Sequence, residues 1–124
     1  MTLVPLSEAR VVTTPAATMR TYASPTTALP APVAVWRTEM APGSAGPVHS
    51  VDVDQVVVVV EGVLVAELDG AQEEIATGDS VLLAAGAERR LVAGHGGVVT
   101  LTSSVPGGTA RAGGAEPVPV PWAR

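Results

Sequence analysis

The side chains of this sequence that could do chemistry include His49, Gln55 and Arg89. His49 can take up and release a proton near neutral pH. Gln55 offers both a hydrogen-bond donor and an acceptor. Arg89 carries a permanent charge on a planar fork that fits a carboxylate, an enolate or a developing oxyanion. Brought together, they would suit proton transfer on a small carbonyl-bearing molecule: isomerisation, cyclisation or elimination. They would not suit oxygen activation. The second histidine, His95, stands among glycines and reads as an exposed loop residue. Cysteine is absent, which excludes thiolate chemistry and disulfides.

Short strands joined by turns must position these residues. Valine and threonine dominate, and glycine or proline recurs every several residues. No stretch is convincingly helical. Residues 8–14 and 18–23 are expected as the first strands, and SPTTALPAP as a loop whose three prolines exclude a central strand. Residues 33–40 form the next strand, ended by Ala41-Pro42-Gly43. From His49 a strand runs to Val60, and Glu61-Gly62 is expected to turn it into a strand over 63–68. Asp69-Gly70 is a hairpin signal, followed by a return strand to Ala76. Further turns are expected at Thr77-Gly78-Asp79, at Ala84-Ala85-Gly86 and at Gly94-His95-Gly96-Gly97, with the last core strand over 98–103.

Side chains alternate between the two faces of a strand. In the strand from His49, odd positions carry His49, Val51, Val53, Gln55, Val57 and Val59. Even positions carry Ser50, Asp52 and Asp54 and then Val56, Val58 and Val60. From Val56 onward both faces are apolar, and both need cover. The tail EPVPVPWAR is extended by its alternating prolines and carries Trp122 as a docking anchor; a solvated, unattached tail is the other reading of it.

A chain of 124 residues supports a single core. The expected domain is 1–124, with a barrel core over about 33–106 and two packed additions, strands in 8–23 and a proline-rich tail at 107–124. The net charge is -5, and all seven basic residues are arginine. Apart from Arg89-Arg90 they are scattered, so nucleic acid is not an expected partner. Five consecutive valines are too few to span a bilayer. MTLVPLSEAR has no basic start followed by a long apolar run, so no secretory leader is expected. The expectation is therefore cytoplasmic, without membrane contact. Phenylalanine, lysine, asparagine and cysteine are all missing, which points to a GC-rich genome.

The segment Gly43 to Gly62, GSAGPVHSVDVDQVVVVVEG, resembles the first motif of the cupin superfamily, G-x5-H-x-H-x3-E-x6-G. Gly43, His49 and Gly62 match it. Val51 stands where a metal-binding member has its second histidine, and Gln55 where it has glutamate. The second motif, G-x5-P-x-G-x2-H-x3-N, falls on residues 78–93. Gly78 and Gly86 match, whereas Ala84, Arg89 and Ala93 replace the proline, the histidine and the asparagine. The resemblance covers residues 33–106 and implies an all-β, jelly-roll-like double-stranded β-helix barrel, often dimeric.

It also implies that His49, Val51, Gln55 and Arg89 take the four places of a metal tetrad. One imidazole, one amide, one alkyl group and one cation make a poor ligand set for a divalent ion. No metal and no other cofactor is expected. The set reads instead as a mixed pocket, with His49 catalytic and with Gln55, Arg89, Val51, Trp36, Tyr22 and Met40 binding substrate. The large side chains Trp36, Met40, Met19 and Tyr22 should shape a pocket otherwise walled by valine and alanine. Each residue also has a purely structural account. His49 can be hydrogen-bonded without reacting, and Gln55 can serve only backbone groups. Arg89 can pair with Glu61 or Glu39, or face outward with Arg90 inward. Glu39, if lumenal, would be a second acid or base.

Two functions follow. One is a metal-independent isomerase, cyclase or lyase of secondary metabolism acting on a carbonyl- or carboxylate-bearing molecule. The other is a non-catalytic sensor or binding protein for a small acid or sugar. A metalloenzyme with an atypical ligand set ranks third. A homodimer is expected in each case.

Overall fold

The structure, a computed structural model, describes residues 1–124. It contains ten strands, β1 (Arg10–Thr13), β2 (Thr18–Ala23), β3 (Ala34–Met40), β4 (Ser50–Val51), β5 (Gln55–Leu68), β6 (Ala71–Ile75), β7 (Ser80–Leu83), β8 (Arg89–Ser104), β9 (Thr109–Arg111) and β10 (Val118–Pro119). Short 3₁₀ turns at Leu6–Glu8 and Pro121–Ala123 complete it. There is no α-helix.

The main sheet has the order β1-β2-β3-β8-β5-β6, and β7 also pairs with β5. A small sheet has the order β10-β9-β4. Every strand pairing is antiparallel. Two long strands make this a barrel, because β5 and β8 each serve two neighbourhoods. The second half of β8 pairs with β3 and with the first half of β5. Its first half pairs with the second half of β5, and on its other edge holds the segment 43–49 through bridges Ala45↔Val92 and His49↔Arg89. The wall closes around an interior, as the jelly-roll expectation requires.

Two expected turns are absent, and the reason is shared. Glu61-Gly62 and Gly94–Gly97 do not reverse the chain; β5 and β8 run through them. The register slips between Val59 and Glu61 and again between Gly62 and Leu64, so these glycines mark β-bulges that bend the long strands. Gly62 has φ +78°, and a Cβ there would run into the carbonyl oxygen of Gly97. A bulge and a turn ask the same residue of the sequence, so a glycine pattern alone does not separate them. The Asp69-Gly70 hairpin is as expected, both residues having positive φ.

The strand expected from His49 to Val60 is interrupted at Asp52–Asp54, leaving the two-residue β4 before β5. Here the acidic residues hold loops. Asp52 accepts bonds from the Thr109 N–H (2.7 Å) and hydroxyl (2.9 Å), and Asp54 accepts one from the Ala85 N–H (2.7 Å).

The interior holds two apolar clusters. One joins Met40, Val57, Val59, Leu64, Ala66, Ile75, Leu83, Ala93 and Val98. The other joins Met19, Ala34, Trp36 and Val51 to two residues of the tail, Val120 and Ala123. The tail is therefore docked, and residues 107–124 form a strap that pairs with β4 through β9 and enters this cluster at Val120 and Ala123. The outer face is less well covered, with Val56, Val58, Val60 and Leu82 exposed.

Candidate functional site

Along the inward face of the segment carrying the first motif, Val51 and Val53 pack with the strap cluster and Val57 and Val59 with the other. Gln55 lies between them, 8% exposed. The sheet continues this polar layer. Thr102 lies between Val57 and Trp36 in register, and Thr100 between Val59 and Thr38. Ser104 faces Ala34. Thr100, Thr102 and Ser104 are all buried. Their spacing, every second residue of β8, is visible in the sequence. Nothing short of the pairing shows that this face of β8 lies inward.

Arg89 reaches into the same layer from the start of β8. It is 1% exposed, among the largest fully buried side chains. Its Nη2 donates to the Ala84 carbonyl at 2.7 Å, and its Nη1 approaches Gln55 Oε1 at 3.5 Å, the outer limit of a hydrogen bond. Its Nε is buried without a partner. No carboxylate pairs with it. Burial pushes the guanidinium below its ordinary pKa, with Asp69 opposing from a distance. Of the two arginines, Arg89 is the inward one. Arg90 is partly exposed, bonded to the Gly46 carbonyl and 4.0 Å from Glu67.

His49 is tied to Arg89 through the backbone, each N–H donating to the other's carbonyl at 2.9 and 2.8 Å. Its ring is half-buried, with Nδ1 at 2.9 Å from the Pro47 carbonyl oxygen. A carbonyl can only accept, so Nδ1 carries the proton and the neutral ring keeps its lone pair on Nε2. That is the tautomer of a general base.

The other expected pocket residues divide by face. Val51 and Trp36, each 3% exposed, are inward beneath the strap. Met40 is inward as well, but in the far cluster. Tyr22 alternates with the buried Met19, Thr21 and Ala23 and so faces away from them. Tyr22 is not brought to the interior, because strand parity set the large side chains of 19–22 on opposite faces. Glu39 is not lumenal either. It lies in an ion cluster with Arg37 (2.8 Å) and Arg20 (3.2 Å), and those bonds, Arg37's first, hold its carboxyl below the usual value. Neither Glu39 nor Glu61 pairs with Arg89.

The fold's usual metal does not fit here. Among the four tetrad positions only His49 offers a strong neutral donor, Val51 offers none, and Arg89 places a fixed cation in the layer. No group of three or more histidine, cysteine, aspartate or glutamate side chains converges anywhere.

With barrel, motif segment and polar layer in place, the comparisons agree on the class. The family model described as "Cupin domain" matches residues 36–104, more than half of the chain, and the protein belongs to that family. No curated protein matches the sequence. Among solved structures, it is similar to oxalate decarboxylase from Bacillus subtilis (TM-score 0.70, 13% identity), with 81% of this chain covering only 28% of that one. The chain thus spans about a quarter of that larger protein. It is also similar to the polyketide cyclase RemF from Streptomyces resistomycificus (TM-score 0.70, 21% identity, 84% of this chain and 78% of that). A third likeness is an RmlC-like cupin from Shewanella frigidimarina (TM-score 0.65, 20% identity, 80% and 86%).

Proposed function

We propose that this protein binds a small carboxylate- or carbonyl-bearing molecule in its barrel and acts on it by metal-independent proton transfer, as an isomerase, cyclase or lyase of secondary metabolism. The observation that carries this reading is Arg89, a guanidinium 1% exposed with no anionic partner. A buried, uncompensated cation is costly, and an anionic ligand would relieve that cost. In the reaction, Nε2 of His49 removes a proton from the carbon beside a carbonyl. The resulting enolate oxygen is held by Arg89, with Gln55 and the β8 hydroxyls orienting the rest, and the imidazolium returns the proton at the new position. The likeness to the polyketide cyclase RemF supports a cyclisation within this class.

Thermal-shift titration with small carboxylates tests the binding step. Wild type and His49→Ala should be stabilised alike, and Arg89→Leu not at all. A His49→Ala chain that keeps full turnover on the true substrate would overturn the role of His49 as the acid and base; carboxylate binding by a wild type that turns nothing over is the outcome of the sensor reading.

A second copy of the chain is the partner that accounts best for the outer face. Val56, Val58 and Leu82 sit side by side on β5 and β7, 43%, 37% and 57% exposed. A two-fold axis would let such a face pack on itself. The neighbouring ion cluster sets two arginines, Arg20 and Arg37, on the single carboxylate of Glu39 and leaves one net positive charge beside that face.

A further inference from the structure

Arg89 Nε is both unpartnered and out of reach of solvent. No ligand can meet it unless something inside the barrel first moves. On one side of Gln55 the interior is filled by nine residues, drawn chiefly from β3, β5, β7 and β8, which the long ladders hold together. On the other side it is filled by the strap.

That filling is attached differently. Val120 and Ala123 lie against Met19, Ala34, Trp36 and Val51, on the inward face of β2, β3 and β4. Their backbone hold on the rest of the chain is short: the Val120 N–H donates to the Gly108 carbonyl (3.1 Å), and the Ala123 N–H bonds only to the Val120 carbonyl (3.1 Å). β10 is two residues long, and prolines at 117, 119 and 121 have no N–H to lose on leaving. The start of the strap is held by the β9–β4 pairing and by Asp52, whereas its last residues, 121–124, are fastened by side-chain donors on their carbonyls. Thr21 Oγ1 donates to the Trp122 carbonyl (2.7 Å), Thr26 Oγ1 to that of Arg124 (2.7 Å), and Arg10 Nη2 to those of Pro121 and Arg124 (both 3.3 Å). All of these carbonyls can turn to water instead. The closed state also carries a penalty of its own, since Arg10 Nε is buried there without a partner.

We propose that Val120 and Ala123 are an internal occupant of the binding site, displaced when a carboxylate with an apolar body enters through the Val51–Trp36 end and places its charge at Arg89. This rests on the Arg89 reading above and adds to it a ligand shape and a moving part. The apolar body replaces the two strap side chains against Trp36, Met19 and Val51. The carboxylate accepts from Nε, which gains the partner it lacks.

The test uses the full chain and octanoate as probe. Hydrogen–deuterium exchange of residues 118–124 should rise on adding octanoate, while exchange at 89–93 falls. The double variant Thr21→Val/Thr26→Val, which removes two fastenings, should bind octanoate about tenfold more tightly than wild type. If octanoate binds with unchanged or slower exchange in 118–124, the strap is a fixed wall and the inference is overturned, whether or not the double variant folds. Equal affinity of a folded double variant and wild type overturns it too. Binding that survives Arg89→Leu undiminished, or no binding to any of these chains, instead removes the Arg89 reading on which it stands.

Discussion

Arg89 occupies the place of a metal ligand and reverses the sign of what the site can hold. A fixed cation beside Gln55 repels a divalent ion and attracts an anion, so protein purified without chelators or a metal-binding tag should carry well under one equivalent of iron, manganese, nickel or zinc by elemental analysis. The burial of that cation also sets a balance between stability and binding. Arg89→Leu removes an uncompensated charge and loses one good bond, to the Ala84 carbonyl. It should raise the melting temperature by about 2–5 °C while abolishing carboxylate binding. His49 was legible as a candidate acid or base, and its contact with the Pro47 carbonyl was not, because that contact depends on the backbone path. Tyr22 shows the limit of reading single residues. Size suggested a pocket wall, but a strand offers two sides and only the sheet decides between them.

At the scale of elements, alternation identified the strands well and their ends poorly. β2, β3 and β6 fall within a residue or two of expectation. The long strands do not, because a glycine at a bulge and a glycine at a turn satisfy the same backbone demand. The bulge makes a sharp prediction. Gly62→Ala requires a positive φ and a Cβ against the Gly97 carbonyl, and should destabilise by about 2–4 kcal/mol in urea unfolding. Gly108 is constrained differently, by space alone. A Cβ there would lie 2.8 Å from Val53 Cγ2, so Gly108→Ala should loosen the strap, seen as faster exchange over 107–124 with β5 unaffected. The strap itself was one of two open readings of the tail. Trp122 pointed to docking; the donors that fasten it, Arg10, Thr21 and Thr26, lie about a hundred residues away.

For the molecule as a whole, acid should loosen the structure at two known places. Thr109, through its N–H first and then its hydroxyl, holds the Asp52 carboxyl below its ordinary pKa, and Arg37 and then Arg20 do the same for Glu39. A depressed carboxylate contributes stability that is fully present above its unfolded value, near pH 4, and is lost as pH falls through the folded one. Thermal melts from pH 6 downward should therefore show an acid loss of stability that is smaller in Asp52→Asn. Assembly is testable at the same scale. Wild type should run as a dimer in light scattering, and Val58→Lys, which charges the exposed valine face, as a folded monomer. No helix is long and apolar enough to cross a membrane.

The sequence alone determined the class of fold and supplied the candidate residues of the site. Valine-rich alternation demanded strands, glycine spacing fitted the cupin barrel, and Val51, Gln55 and Arg89 removed the ligands a metal needs. These are local facts, carried by residue type and spacing. Tertiary structure decided everything that depends on which face meets which. It put Arg89 rather than Arg90 inside, sent Tyr22 and Glu39 outward, lined the interior with Thr100, Thr102 and Ser104, and laid Val120 and Ala123 against Met19, Trp36 and Val51. Each of those outcomes follows from pairing register between strands far apart in the chain, and register is fixed by the barrel's closure, which no short stretch of sequence contains.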